Sequence, residues 1–561
     1  MKFVAHIAVA ASAILVMSAC SPKQDAGNPA ASPVTIFTGG QIYTGVDDAP
    51  TAEAVAVADG VIVAVGAREL VEAGAGDNPT IVDLKGATLF PGFTDAHAHF
   101  FGIGMRELSL NLEGVGSISE LVSIVAANVQ HAGEGELVYG RGWIETGWPE
   151  GRMPNRDDLD PVSGDTPVVL ERADGHAMVA NSAALAAAGI DDATPDTDGG
   201  KIERDANGRA TGILIDNAMN AVAPLFSEPD MAEKREAYAK ASDVYAAYGW
   251  TGLHNMSVDP EDLEIIESMA DEGAIDLRVY NSLRRSGFAA LAKNGPRQNA
   301  NGHVITRAIK LYIDGALGSR GAALSEPYSD RPDTSGLFLM KPDKAAALFE
   351  QAINAGIQIN THAIGDRGNT VLLNWYANTM AAHPDKNDTR WRIEHAQILH
   401  STDIPRFAEL GVIPSMQPSH AIGDLYFAPA RLGTDRLDGA YAWRALIDSG
   451  SIIAGGTDAP VERGDPLIEF YAAVARRGLD GYQDENWHAE QAVTRAEALK
   501  MFTLWPAYAS FQEETLGLIE PGKRADFTVF SKDIMTVEES EILNAKPVMT
   551  VVDGEIVFDG R

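Results

Sequence analysis

The stretch Phe90–Phe101, FPGFTDAHAHFF, decides how the rest of the chain is read. An apolar, strand-like lead runs directly into Asp95, His97 and His99. In an extended segment, side chains at i and i+2 share a face, so both imidazoles can reach one ion and Asp95 lies on the same side. An isolated His-x-His pair is equally at home in a core or a loop. Its weight here comes from the ligand-type residues that close strands farther along the chain.

Between about Leu89 and Pro506, apolar strand-like runs alternate with helical ones. The strands read as LVYGRGW (137–143), VVLERAD (168–174), WTGLHNMS (250–257), RAIKLYIDGAL (307–317), IQINTHA (357–363), RWRIEHAQIL (390–399), GVIPSMQP (411–418) and SIIAGGTDAP (451–460). AALFEQAINAG (346–356), IPRFAEL (404–410) and AWRALIDSG (442–450) read as helices between them. Repeated strand–helix order predicts a parallel sheet with crossover helices. The region exceeds the roughly 250 residues of a plain (β/α)8 barrel, which leaves room for an insertion. The Asp-, Gly- and Pro-rich segment 145–224 is the expected one. Both chain ends have a different texture. VTIFTGGQIYTG (34–45), AEAVAVADGVIVAVG (52–66) and NPTIVDLKGATLF (78–90) alternate and turn at Gly-Gly and Asp-Gly, as do RADFTVFSKD (524–533) and PVMTVVDGEIVFDG (547–560). They predict one β-sandwich assembled from 34–86 and 507–561, flanking a central domain at 87–506.

Three further ligand types close later strands: His362, His395 and Asp458. In a barrel, carboxyl-terminal strand ends converge on the active site. Four His and one Asp form an N/O donor set suited to Zn2+ and its neighbours. Lys310 lies inside an apolar strand, where an unpaired ammonium is costly. Two readings of it stand: an ion pair with Asp314, or a carbamate bridging two metals.

With 561 residues and 45% hydrophobic content, the chain is too apolar for disorder. Against 44 Lys+Arg stand 79 Asp+Glu, a net charge of −35 that disfavours nucleic acid and anionic lipid. The single cysteine, Cys20, rules out an intramolecular disulfide and a Cys-ligated zinc site. It follows Lys2, an apolar run from Phe3 to Met17 and the small pair Ser18-Ala19, a pattern that resembles a bacterial lipoprotein signal. The expectation is a signal peptide over 1–19, a lipidated Cys20, a tether over 20–33 and a domain facing the periplasm. An ordinary secretory signal cleaved nearby is the alternative.

Together, PGFTDAHAH (91–99), KLYIDGALGSRGAAL (310–324), INTHAIGDRGN (359–369), RIEHAQ (392–397), GGTDAPVERGDPL (455–467) and GLIEPGKRADFTVF (517–530) resemble the amidohydrolase superfamily, most of all its amidohydrolase-3 (YtcJ-like) metal-dependent hydrolases. The resemblance spans Val34 to Phe558. It implies an α/β fold, a (β/α)8 TIM-like barrel beside a composite β-sandwich. It also implies that His97 and His99 bind one metal, that carboxylated Lys310 bridges two zinc ions, and that His362 and His395 bind the second. Asp458 then contacts metal and water and acts as general base. Relatives that bridge with Cys are excluded by the lone Cys20, and deaminase-like relatives hold one metal without the lysine. The expected reaction is hydrolysis of a non-peptide, amide-like C–N bond of a small molecule by water that the metal has made acidic. The alternatives are a mononuclear deaminase, a cyclic amide or ester hydrolase, and a non-catalytic binding lipoprotein. Asp95 is expected to hydrogen-bond a ligand histidine. His176, Arg320 and Trp143 are expected to touch substrate, Trp148 and His420 are further pocket residues, and His254 is surplus as a ligand. No oligomeric state follows from the sequence.

Overall fold

The computed structural model describes residues 33–561 apart from 134, 146, 174, 176, 198 and 199. The expected signal, tether and Cys20 lie outside the described residues, as does His176. No helix among the described residues is long and apolar enough to cross a membrane.

Eight parallel strands form the central ring: Phe93–Ala98, Trp250–Val258, Arg278–Leu283, Val304–Tyr312, Gln358–Ala363, Arg392–His395, Ile413–Met416 and Ala454–Gly455. Each pairs with the next in chain order. The ring nearly closes where the last strand runs on beside the first. There the Asp458 N–H donates to His97 O at 2.6 Å, and the His99 N–H donates to Ala459 O at 2.8 Å. Local chemistry sets the crossover helices. In Met231–Tyr248, Asp230 caps the backbone N–H groups of Ala232 and Glu233, while Glu233 reaches back to the Asp230 N–H. Gly249, at φ 104°, ends that helix in the left-handed region and feeds the chain into Trp250.

Two expected barrel strands belong elsewhere. Val138–Trp143 and Val168–Arg172 pair parallel with each other inside a six-strand sheet that also contains Leu110–Asn111, Ala177–Ala180, Gly200–Arg204 and Ala210–Asp216. This sheet is inserted between the first and second barrel strands, so the insertion begins near Leu110 rather than at 145. A parallel strand–helix–strand unit reads the same in sequence whichever sheet it joins. The barrel strand that the sequence pattern hides is Arg278–Leu283, RVYNSL, wholly buried although half its residues are polar.

Strands from both chain ends hydrogen-bond into a single eight-strand sheet, in the order Glu555–Asp559, Pro547–Val552, Phe527–Phe530, Thr88–Pro91, Thr35–Tyr43, Thr51–Ala58 and Val61–Gly66, with Thr80–Asp83 also on Thr35–Tyr43. The composite origin matches expectation. The hydrogen bonding draws one sheet where a two-sheet sandwich was expected, and Thr88–Pro91 still belongs to it beyond residue 86. Its core joins the two ends through Phe37, Val55, Val57, Phe527, Val529, Met549 and Val551.

The small sheet is bolted to the barrel by Arg278. Its guanidinium donates to both Asp526 oxygens at 2.6 and 3.0 Å and to Asp553 Oδ1 at 2.6 Å, and His303 Nε2 lies 2.7 Å from Asp553 Oδ2. Removing one partner from a buried ion pair strands the others, so Arg278→Met is expected to lower unfolding free energy by about 3–5 kcal/mol in denaturant titration. Burial alone would raise the Asp553 carboxyl, but His303 and Arg278 outweigh it and hold the pKa at about 2 instead of 3.8. Its stabilisation is therefore complete above its unfolded value of 3.8 and lost as pH falls through about 2. Asp553→Asn is expected to lose less stability than the parent across that acid window.

Candidate metal centre

The ring closes on a cluster of imidazoles. His97 and His99 leave the first strand together, and Asp458 follows the last. Asp458 Oδ1 lies 3.1 Å from His99 Nε2 and 3.4 Å from His97 Nε2. The other ring nitrogens fix the tautomers. His97 Nδ1 is 2.6 Å from Glu394 Oε2, and His99 Nδ1 is 3.2 Å from the Met256 carbonyl. Both partners are acceptors only, so both Nδ1 atoms carry the proton. In the neutral rings, two Nε2 lone pairs and a carboxylate then face one another. Such a set can offer three lone pairs to one cation, and one ligand atom from each of the three residues falls within 4.8 Å of the others. The donor chemistry therefore fits a divalent metal.

Electrostatics favour the ligand forms. Burial, then Lys310, pushes the His97 pKa down to about 4. The same two causes bring His362 to about 3. His395 lies well below its ordinary value through burial and His362. Burial would raise Asp458, but His97, His99 and His395 together hold its carboxyl well below the usual range. The backbone is held in sparsely populated conformations at this rim, with positive φ at His395 (75°), Ala396 (43°) and Asp458 (63°).

Lys310 is buried, with Nζ 3.0 Å from His97 Nε2 and 5.0 Å from the centre of the Tyr312 ring. The Lys310–Asp314 ion pair is not formed. Asp314 instead accepts backbone N–H groups from Ala323, Ile364 and Gly365 at 2.8, 3.0 and 2.9 Å. His362 and His395 are adjacent, ring centres 4.6 Å apart. His362 Nε2, however, turns toward the Gly315 carbonyl at 3.4 Å. The second set of ligand atoms within 4.8 Å joins His395 and Asp458 to His420.

Asp95 does not hold an imidazole. Its carboxylate accepts the backbone N–H of His97 (3.0 Å) and of Thr457 (2.9 Å), and the hydroxyls of Thr457 (2.7 Å) and Tyr245 (3.0 Å). Trp143 and Trp148 are not available to substrate. Both are buried in the core of the inserted sheet, with indole N–H groups donated to Leu170 O and Val115 O. Arg320 pairs with Asp330 at 2.8 and 3.1 Å. His254 lies inside the barrel, where its Nδ1 accepts from Arg392 at 2.8 Å.

Sequence reasoning missed the residues that aim the ligands. Glu394 sits beside His395 in RIEHAQ but points into the barrel, between His97 and Arg392. Burial would raise its carboxyl, yet Arg392 and His97 hold it well below the usual range. Gln417 Oε1 fixes His395 Nδ1 at 2.8 Å. A charged pair spaced i, i+2 within a short apolar strand, as in Arg392-Ile393-Glu394, was the available signal.

The profile of the Amidohydrolase family matches residues 80–558. YtcJ of Bacillus subtilis (strain 168) is 33% identical over 534 residues, 93% of this chain and 99% of that one. The N-substituted formamide deformylase of Arthrobacter pascens is 27% identical over 524 residues, 91% and 95% of the two chains. The crystal structure of an uncharacterized metal-dependent hydrolase from Pyrococcus horikoshii OT3 superposes with a TM-score of 0.74 at 27% identity, covering 90% of this chain and 99% of that one. With the barrel, the paired histidines and the facing aspartate in place, the chain belongs to the Amidohydrolase family.

Proposed function

We propose that the protein hydrolyses a non-peptide C–N bond of a small amide-like molecule at the His97–His99–Asp458 cluster. The observation that carries the reading is the meeting of two Nε2 lone pairs with the Asp458 carboxylate. A bound divalent cation, zinc in this reading, supplies Lewis acidity, making water acidic and polarising the substrate carbonyl. His97 and His99, aimed by Glu394 and the Met256 carbonyl, hold that position. Asp458 takes a proton from water as the water oxygen bonds to the carbonyl carbon. It returns the proton to nitrogen as the C–N bond breaks and its electron pair leaves with the amine. The products are a carboxylic acid and an amine. The formamide deformylase among the relatives makes N-substituted formamides the first panel to assay.

Lys310 supports a binuclear form of the site. A buried amine beside His97 that pairs with no carboxylate among the described residues is costly as an ammonium and suited to a carbamate bridging two ions. Export with a lipid on Cys20 completes the proposal, supported by the apolar run and the Ser18-Ala19-Cys20 sequence.

Asp458→Asn is expected to lower kcat on the panel by about 10²–10⁴-fold while circular dichroism and melting stay near the parent. A variant that turns over normally refutes the base role. Elemental mass spectrometry of the parent is expected to find two zinc-like ions per chain and one in Lys310→Met. One ion in both proteins favours the mononuclear reading. Glu394→Gln, which loosens His97, is expected to weaken metal affinity about 10–100-fold in chelator competition. In cell fractionation, Cys20→Ser is expected to move the protein from the membrane to the soluble fraction.

A further inference from the structure

Asp458 presents two oxygens, and only one of them serves the His97–His99 position. Oδ1 lies 3.1 and 3.4 Å from the Nε2 atoms of His99 and His97, whereas Oδ2 lies 3.7 Å from His420 Nε2. His420 sits on the helix Pro418–Asp424, which follows the seventh barrel strand, and only 8% of it is exposed. Its ring stacks on that of His395, with centres 5.8 Å apart and planes at 24°. One ligand atom from each of His395, His420 and Asp458 falls within 4.8 Å of the others. Among the described residues, no such set of three includes His362, whose Nε2 is turned to the Gly315 carbonyl.

Each of the two imidazoles is backed by a glutamine. Gln417 Oε1 takes the His395 Nδ1–H at 2.8 Å, and the Gln417 amide N–H donates to the Ser415 carbonyl at 3.3 Å, which pins that orientation. The His395 lone pair is therefore on Nε2. Gln397 backs His420 in the same way, its amide end 3.2 Å from Nδ1. No such partner pins Gln397, because its Oε1 is buried without a hydrogen bond, as is His420 Nε2. With the amide nitrogen on Nδ1, His420 Nε2 carries a buried proton that no acceptor meets, which is costly. With the amide oxygen on Nδ1, that oxygen gains its hydrogen bond and Nε2 carries a lone pair beside Asp458. The second arrangement repeats what Gln417 does for His395.

The spacing agrees with it. A gap of 3.7 Å between imidazole and carboxylate is too long for a hydrogen bond. It is within the span of two ligands on one ion, since donors each about 2.0–2.2 Å from zinc can lie up to about 4 Å apart. Glu462 Oε1 is 3.8 Å from the same nitrogen but belongs to neither set of three. Each carboxylate oxygen has two lone pairs, so Asp458 can face an ion on either side and still take a proton from water. We propose that His395 and His420, with Asp458 Oδ2, form a second divalent-cation position, so that Asp458 stands between two ions. This rests on the binuclear reading of the site and names its missing imidazole as His420, after the seventh strand, instead of His362 on the fifth.

The test is elemental mass spectrometry of the zinc-loaded, desalted full chain, with circular dichroism as the check of folding. Two ions per chain are expected in the parent, one in His420→Gln and two in His362→Gln. Gln397→Met leaves every ligand in place and removes only the group behind His420. It is expected to weaken the second ion about 10–100-fold in chelator competition, with the first ion unchanged. Two ions in His420→Gln, or an unweakened second ion in Gln397→Met, overturns the proposal and leaves the binuclear reading standing. One ion in the parent overturns both. No ion count depends on turnover, so assay of the N-substituted formamides decides the hydrolysis reading by itself.

Discussion

One buried carboxylate holds the molecule's working end together. Asp95 accepts four hydrogen bonds, two from the first strand and its crossover helix and two from Thr457 at the end of the last strand. Burial still pushes its carboxyl up to about 6 against the pull of all four. The approach it enforces leaves no room for a side chain at Gly456, whose Cβ would lie 2.4 Å from His97 N. Ring closure and the spacing between His97 and Asp458 are thus one geometric fact. A shift of either strand would open both.

The imidazoles are aimed from below. Many barrels fill their interior with branched apolar side chains. This one carries a polar column instead. Arg392 donates to the Ala96 carbonyl, to Ser415 and to Glu394, and Glu394 in turn accepts the His97 N–H. That column is set before a ligand arrives, so the orientation of His97 is inherited from the barrel's interior. Preorganisation of this kind avoids a reordering cost when the reaction charge develops.

The strands that end in candidate ligands are legible because a buried strand closing on His or Asp combines two strong signals. The remaining legible barrel strands, such as Trp250–Val258 and Ile413–Met416, show themselves by apolarity alone. Arg278–Leu283 hides because its Arg, Asn and Ser side chains serve the lumen and the lower junction, which breaks the apolar run. The segments near Val138 and Val168 read correctly as strands but not as members of their own sheet, since local sequence specifies a parallel unit and not its neighbour. Among the candidate residues, His97, His99, His395 and Asp458, which the fold groups at the end of the barrel, are legible from position alone. Glu394, Gln417 and Asp95 take their roles from contacts far apart in sequence, and no local pattern carries that information. Trp143 misleads because a tryptophan among glycines and acids looks exposed, while its actual surroundings come from a neighbouring strand.

The contact that closes the ring joins residues 362 positions apart. In a chain made from its amino end, His97 and His99 emerge early, yet their third partner is among the last parts of the barrel to be made. Until then the pair is a two-ligand fragment with no carboxylate across from it. Metal capture is thereby timed to the completion of the fold, so a cation is gripped tightly only by a chain that has already finished its architecture.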